Sequence, residues 1–238
     1  MISALFHAVI YDPLYNGLVF LVGVIPMHDV GLAVIVLTMV VRLILFPLSR
    51  RAVETQMAMR KIAPEVEKIK QKHKDNREEQ SKAIFALYRE QGVHPFAGIG
   101  LLLAQLPILI ALYWIFAGGG LPEIRPELLY SFVSAPSAVN MEFFGILDMT
   151  GHSLFLGLLA ALTQFAYTRL SMGPREKQQA RSSSFSGDLA RSFDLQARYV
   201  LPATFLFLSF VIPNAAMLYL VTSNAFMIGQ ELLSGRRF

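Results

Sequence analysis

The chain has no cysteine and few charged residues. The absence of cysteine among its 238 residues excludes a disulfide framework, a cysteine-bound zinc or iron–sulfur centre and a lipid anchor on an N-terminal cysteine. Charged residues make up 16% of the sequence, compared with about 25% in soluble domains. The sequence also lacks a glycine-rich nucleotide-binding loop, an HExxH zinc motif and a nucleophile elbow. We therefore predict that the protein is not an enzyme and uses no metal or cofactor.

Much of the chain consists of long apolar segments with few or no charged residues. Hydrophobic residues make up 54% of the chain, and the mean hydropathy is +0.49. Residues 30–48 contain a single charge, Arg42, while residues 96–117 and 152–168 contain none. Each window is close to the length of about 20 residues that crosses a hydrocarbon core. Each is therefore predicted to be a transmembrane helix.

The last apolar window is too long for one span. Residues 199–230 form an uncharged run of 32 residues, which as one helix would be about 48 Å long and would exceed a hydrocarbon core of about 30 Å. The Pro213-Asn214 pair predicts a turn. We therefore expect two further spans, residues 199–212 and 215–233, whose uncharged parts of 14 and 16 residues are both unusually short.

The distribution of Lys and Arg predicts the orientation, because cytoplasmic loops retain positive charge. Segment 49–95 contains eleven, segment 169–198 six and the tail 234–238 two, whereas segment 118–151 contains one and segment 1–29 none. This alternation predicts five spans, with the N-terminus outside and the C-terminus in the cytoplasm. The formal net charge of +4 then reflects loops beside anionic lipid rather than a surface specific for nucleic acid.

The first 29 residues are also apolar, but Pro13, Asn16, Gly17 and Pro26 interrupt them. We expect an amphipathic helix at the outer membrane interface, and a sixth spanning segment is the alternative. The predicted fold is thus an all-α membrane protein with five transmembrane helices, an N-terminal interfacial amphipathic helix and a cytoplasmic helical hairpin.

The hairpin is predicted for residues 49–95, where apolar or amphipathic side chains recur at helical spacing. The two series are Met59, Ile62, Val66 and Ile69, then Ile84, Leu87, Tyr88 and Gln91. A turn signal at residues 74–77 separates them, so the two stripes should face each other. Pro64 should kink or restart the first helix. A solvated charged hairpin and a docking site both fit this charge pattern, and the serine run near Ser182 predicts a flexible cytoplasmic linker over residues 169–198.

Arg42 is the residue that most needs an explanation, because an arginine inside a spanning helix costs about 2.5–3.5 kcal/mol on insertion scales. Thr38 lies one turn earlier on the same helix face. No Asp or Glu lies deep in any predicted span, so the sequence offers Arg42 no carboxylate counter-ion there. The side chain either reaches the cytoplasmic headgroups or faces protein and water, where a negatively charged passenger could approach it.

Polar residues in other spans favour the second of these alternatives. They are Gln105 beside Pro107, Thr163 and Gln164, and the group Tyr219, Thr222, Ser223 and Asn224. Scattered amides and hydroxyls usually join helices, at about 0.6 kcal/mol each. Together with one intramembrane cation, they indicate a hydrated cavity.

These features resemble the YidC/Oxa family of membrane protein insertases. The matching segments are residues 38–48 (TMVVRLILFPL), residues 93–98 (VHPFAG), residues 104–108 (AQLPI), residues 111–113 (ALY), Leu201-Pro202, Ile212-Pro213, Leu218-Tyr219 and Ser223-Asn224. His94, Leu220 and Ala215-Ala216 depart from residues that are usual in the family. The order of motifs and the basic hairpin match over nearly the whole chain.

The resemblance implies a five-helix core with a polar groove that opens to the cytosol and the lipid and is closed to the outside. It implies that Arg42 is the groove arginine, with Thr38 and Gln105 as neighbours; Gln164, Tyr219 and Ser223 are further groove candidates. The groove would receive the hydrophilic tail of a nascent membrane protein, whose apolar segment then leaves into the lipid bilayer. Further expected partners are the ribosome, the signal recognition machinery and a Sec translocon, at the bacterial cytoplasmic (inner) membrane.

Two other functions remain open at this point. A small-solute transporter or anion channel could use Arg42 as its selectivity charge, although the sequence shows neither inverted repeats nor the intramembrane carboxylates that transporters use for coupling. A passive assembly subunit would leave the basic hairpin unexplained.

Overall fold

The computed structural model describes residues 2–74, 76–92, 97–172 and 195–235. The helices are α1 (Ile2–Phe6), α2 (Asp12–Val24), α3 (Val30–Ile44), α4 (Phe46–Lys72), α5 (Arg77–Glu90), α6 (Ala97–Ala117), α7 (Leu154–Met172), α8 (Leu201–Leu208) and α9 (Asn214–Leu233). Two short antiparallel strands, β1 (Glu142–Phe143) and β2 (Leu147–Asp148), add a small hairpin to the predicted all-α fold. The chain divides into two units, Met1–Leu43 with Pro107–Phe238, and Ile44–Leu106.

The first helical run is continuous. Between α1 and α2 the chain makes a π turn, His7–Tyr11, in which the Asp12 N–H donates to the carbonyl of His7. This turn precedes Pro13, whose missing N–H would otherwise leave a gap in the helix. Pro13 and Gly17 therefore do not interrupt the helix. It ends at Ile25, which has the extended backbone that a residue before proline prefers.

Two described helical segments are long and apolar enough to cross a membrane, Ser3–Val24 and Leu154–Met172, and Val30–Ile44 qualifies when taken together with Phe46–Met59. The count of five spans and the interfacial position of the first helix stay predictions.

In the first unit, α7 contacts both α8 and α9. The contact with the end of α8 depends on Gly157, since a Cβ at this position would lie 2.6 Å from the Cβ of Ser209. Small residues let helix backbones approach closely where no water-driven force holds membrane helices together. Glycine at 157 therefore sets the separation of α7 from the α8–α9 turn.

The predicted turn at Pro213-Asn214 is confirmed, because α9 begins at Asn214. The expected shortness of both halves is wrong for the second one. The 20 residues of α9 extend about 30 Å, and the helix continues past Glu231, whose side chain is fully buried. A π turn of five residues and an α8 of eight make the first half about 20 Å long.

Side chains of α2 hold the segment between α6 and α7 through hydrogen bonds to its backbone. The Asn16 side chain donates to the carbonyl of Leu128 and accepts from the N–H of Tyr130, at 2.9 and 2.7 Å. The Tyr15 hydroxyl accepts from the N–H of Arg125 at 2.8 Å. Both side chains are buried, so these bonds satisfy polar groups that could not otherwise be placed in a core.

In the second unit, α4 and α5 contact each other, and the N–H of Asn76 donates to the carbonyl of His73 between the two helices. The Asn76 side chain caps α5 by accepting from the N–H groups of Glu78 and Glu79. From the predicted stripes, Ile62 and Leu87 are buried, whereas Gln91 is exposed. Helix α4 continues through Pro64 without restarting. Pro64 is solvent-exposed, so water can bond to the carbonyl that proline leaves free. The cytoplasmic location of this unit stays a prediction.

Several sequence predictions lie outside the described residues. They are the motif at residues 93–96, most of the linker 169–198 and its serine run near Ser182, and Arg236 and Arg237 of the tail.

Replacing Gly157 by alanine should loosen the α7–α8 contact. The added methyl group must displace Ser209, and overpacking of this kind costs about 1–3 kcal/mol. The matched control is Gly229→Ala in α9, where a Cβ meets no atom within 4 Å; the better helix propensity of alanine should there leave stability equal or slightly higher. Thermal unfolding of the detergent-solubilised variants measures the difference, and equal midpoints for the two variants would contradict the assigned role of Gly157.

Candidate functional site

The polar face of α3 points into the first unit. Thr38 and Arg42 lie one helical turn apart and are both buried, Arg42 with only 6% of its surface exposed. Val36, Val40 and Leu43 of the same helix are exposed. Helix α3 thus presents apolar side chains outward and its two polar side chains inward.

Arg42 is held by α9. Its Nε donates to the hydroxyl oxygen of Ser223 at 2.5 Å, and Ser223 is fully buried. The phenol groups of Tyr219 and Tyr167 lie close enough to interact electrostatically with the guanidinium. Helices α3, α7 and α9 therefore all contribute polar groups around one cation.

This arrangement decides between the two sequence interpretations of Arg42. A side chain that reached for headgroups would extend along the helix toward solvent, whereas Arg42 points at a serine in a neighbouring helix. A guanidinium has five N–H donors and is less strongly hydrated than an ammonium group. It is therefore the cation best suited to an interior that supplies several neutral acceptors.

The space next to Thr38 is apolar. The Thr38 hydroxyl donates to the carbonyl of Val34 at 2.6 Å, within its own helix. A crevice beside Thr38 leaves no room for a water molecule, and its lining is Leu14, Val34, Leu37, Thr38, Val41, Ile108, Leu112 and Tyr219. The hydrated cavity expected from the sequence is not open at this crevice in the described conformation.

Helix α7 supplies the remaining polar groups. The Asn224 side chain of α9 donates to the Thr163 hydroxyl at 3.3 Å, which joins the two helices. Gln164 is buried and donates to Thr168 in its own helix at 3.2 Å. The bond between Asn224 and Thr163 matches the interhelical role that amides and hydroxyls commonly have in membrane bundles, whereas the bond of Gln164 stays within α7.

Four of the six predicted groove residues thus lie on two helices that meet at Arg42, namely Thr38, Arg42, Tyr219 and Ser223. Gln164 is buried in α7 with a partner in the same helix. Gln105 belongs to the unit Ile44–Leu106, and its place in a groove stays a prediction. Sequence reasoning missed Tyr167, although its position four residues after Thr163 puts it on the same helix face.

The protein resembles known membrane proteins over most of its length. The model of the family described as "60Kd inner membrane protein" matches residues 21–238. Proteins named membrane protein insertase YidC from Francisella tularensis subsp. novicida (strain U112) and subsp. tularensis (strain WY96-3418) are each 28% identical over 208 residues, which is 87% of this chain and 33% of the relative. The chain therefore spans about a third of the length of these curated relatives.

A solved structure shares the fold. The "Active YidC insertase crystal structure with the first transmembrane domain resolved" superposes with a TM-score of 0.57 at 23% identity, over 96% of this chain and 47% of that one. The helical arrangement described above is therefore that of an established membrane protein fold.

Removing the acceptor for Arg42 should destabilise the bundle. Ser223→Ala leaves the buried Nε without its hydroxyl partner, and a lost hydrogen bond to a charged group costs about 1.5–3 kcal/mol. Ser223→Thr keeps a hydroxyl and should recover part of this loss. Thr222→Ala, one residue away and only partly buried, is the control. Thermal unfolding in detergent measures the midpoints, and we expect the midpoint of Ser223→Ala to be lower than those of Ser223→Thr and Thr222→Ala. A Ser223→Ala variant as stable as the parent would show that the bond to Arg42 contributes nothing.

Proposed function

Because the chain belongs to the 60Kd inner membrane protein family, which is the YidC/Oxa1 family, we propose that it is a membrane protein insertase. The observation that carries this proposal is the burial of Arg42 among neutral polar groups of α3, α7 and α9. An arginine in such a place is costly and marks a functional site by default. Its guanidinium would attract the acidic tail of a nascent membrane protein.

In this proposal, a carboxylate of the passenger replaces the Ser223 hydroxyl as the acceptor for Arg42. In the described conformation a neutral hydroxyl accepts from Arg42, and a carboxylate of the passenger would form a stronger, charge-assisted bond with the same donor. Moving a polar tail through hydrocarbon without partners costs several kcal/mol for each unsatisfied backbone group. A groove formed by Thr38, Arg42, Tyr219 and Ser223 would lower that cost as the helices separate. Gln105 and Gln164 are proposed as further groove residues on the strength of the sequence resemblance.

The apolar part of the passenger would then leave into lipid. Helix α3 carries exposed apolar side chains next to its polar face, among them Val36 and Val40. Transfer of an apolar segment from water to lipid is favourable by itself, so the process needs neither nucleotide hydrolysis nor covalent chemistry. The protein would thus act by binding and solvation and not as an enzyme. The alternative of an anion transporter or channel finds no support among the relatives named above.

The charged unit of α4 and α5 is proposed to receive passengers in the cytoplasm. Its eleven basic residues over positions 49–95 suit contact with the ribosome or the signal recognition machinery through long-range electrostatics. With this unit inside the cell, the positive-inside rule gives five spans, an external N-terminus and a cytoplasmic C-terminus. A Sec translocon is a further proposed partner.

The charge of Arg42 should matter most for passengers with acidic tails. Arg42→Lys keeps the charge and should retain most activity, whereas Arg42→Gln keeps hydrogen bonding without charge. We expect Arg42→Gln to slow the insertion of an acidic-tailed passenger about tenfold, equivalent to about 1.4 kcal/mol, and that of a matched neutral-tailed passenger much less. Protease protection of passengers in reconstituted vesicles measures both rates. An equal loss for both passengers would contradict the electrostatic role.

Deleting residues 51–91 should separate docking from groove function. We expect reduced insertion of co-translational passengers in cells, while a short passenger added to vesicles after synthesis is inserted at close to the parental rate. The comparison uses the same passenger in both assays. If co-translational insertion is unchanged, α4 and α5 form a solvated hairpin without a docking role.

A further inference from the structure

The small hairpin of β1 and β2 carries apolar side chains at its tip. Phe144 is 61% and Ile146 is 86% exposed, and Gly145 lies between them. The tip contains no charged residue. Apolar side chains this exposed on a loop between two helices need a partner, because water is an unfavourable environment for them.

The hairpin holds Phe144 in a conformation that phenylalanine rarely adopts. Phe144 and Gly145 have φ values of 51° and 68°, and the N–H of Ile146 donates to the carbonyl of Phe143, which closes a type I′ turn. The first central position of this turn favours asparagine, aspartate or glycine, and a bulky residue at positive φ is an outlier. An outlier of this kind is a reason to look for a function.

A buried carboxylate keeps this conformation in place. The N–H of Phe144 donates to one carboxylate oxygen of Asp29 at 2.9 Å. The other oxygen accepts from the N–H of Leu32 at 3.0 Å and so caps the start of α3. Asp29 therefore joins the tip of the hairpin directly to the first turn of α3.

Two further contacts fix the height of the hairpin along α3. A Cβ at Gly31 would lie 2.7 Å from the Cβ of Phe143, so the aromatic ring packs against the helix backbone. Asn140 accepts from the N–H of Val30 and donates to the carbonyl of His28, both at 3.0 Å. The hairpin is thus attached at residues 28–31, where the apolar window of α3 begins.

A third exposed apolar residue lies in the turn that Asn140 holds. Met27 is 74% exposed and has a φ of 63°. Because the apolar window 30–48 starts directly after this turn, the turn lies where a spanning α3 passes from water into hydrocarbon. Apolar and aromatic side chains at this level are the usual anchors of membrane proteins.

We propose that Met27, Phe144 and Ile146 insert into the boundary between lipid headgroups and acyl chains and so fix the depth of α3 in the bilayer. The occupant of this surface is lipid rather than another protein, since Met27 and the hairpin are both held at residues 28–32, where the apolar window of α3 begins. Glu142 and Asp148 flank the tip at the base of the hairpin. Because these carboxylates are not attracted to anionic headgroups, the attraction of the hairpin to the membrane is apolar. The proposal goes beyond the insertase function and does not depend on it.

The absence of cysteine allows a direct test on the full chain. Ile146→Cys is spin-labelled and reconstituted without any other protein in vesicles of phosphatidylcholine. Electron paramagnetic resonance then compares collisions with oxygen, which concentrates in lipid, and with a water-soluble nickel chelate. The matched control is Glu142→Cys, an exposed position of the same hairpin. We expect the ratio of oxygen to nickel collisions to be at least threefold higher at 146 than at 142.

A label at 146 that meets the nickel chelate as often as the label at 142 would overturn the proposal, because the tip would then lie in water. Since the experiment contains no passenger, its outcome is independent of the insertion assays. The same comparison in vesicles with added phosphatidylglycerol should give the same ratio, because the proposed attraction is apolar. A ratio that rises only with anionic lipid would also contradict it.

Discussion

The desolvation of one guanidinium is the constraint on which the arrangement of the first unit depends. A cation removed from water must find several partners or it destabilises the fold by several kcal/mol. Arg42 on α3 finds a hydroxyl on α9 and phenols on α7 and α9. These helices must therefore meet at one level and in one rotation, with Ser223 turned toward α3.

Close packing of the remaining helices makes this meeting possible. Gly157 lets α7 approach the end of α8, and the start of α9 is fixed by the N–H groups of Asn214 and Ala215, which donate to the carbonyls of Gly151 and Met149. The start of α9 is thereby set relative to the start of α7, and the Asn224 bond to Thr163 joins the two helices further along. The position of Ser223 opposite Arg42 follows from these contacts.

Much of this could be predicted from composition and spacing. The helices of the apolar windows and the turn before Asn214 follow from charge and proline, whose effects are local and large. The burial of Glu231 could not be predicted, although the predicted span 215–233 includes this residue, because a charged side chain near the end of a span usually reaches water. The role of Asp29 was also missed; an aspartate directly before an apolar run is a known capping signal, but its second bond, to Phe144, joins positions 115 residues apart. Contacts at such separation leave no periodic trace in one sequence.

We propose that a passenger meets the protein at the polar face shared by α3 and α9. Disulfide trapping can test this contact, with a single cysteine introduced as Ser223→Cys and another in the acidic tail of a stalled nascent membrane protein. The control is Ala225→Cys, which lies on the opposite face of α9 and is exposed. We expect a disulfide with position 223 and little or none with position 225. Equal trapping at both positions, or trapping at 225 alone, would contradict it.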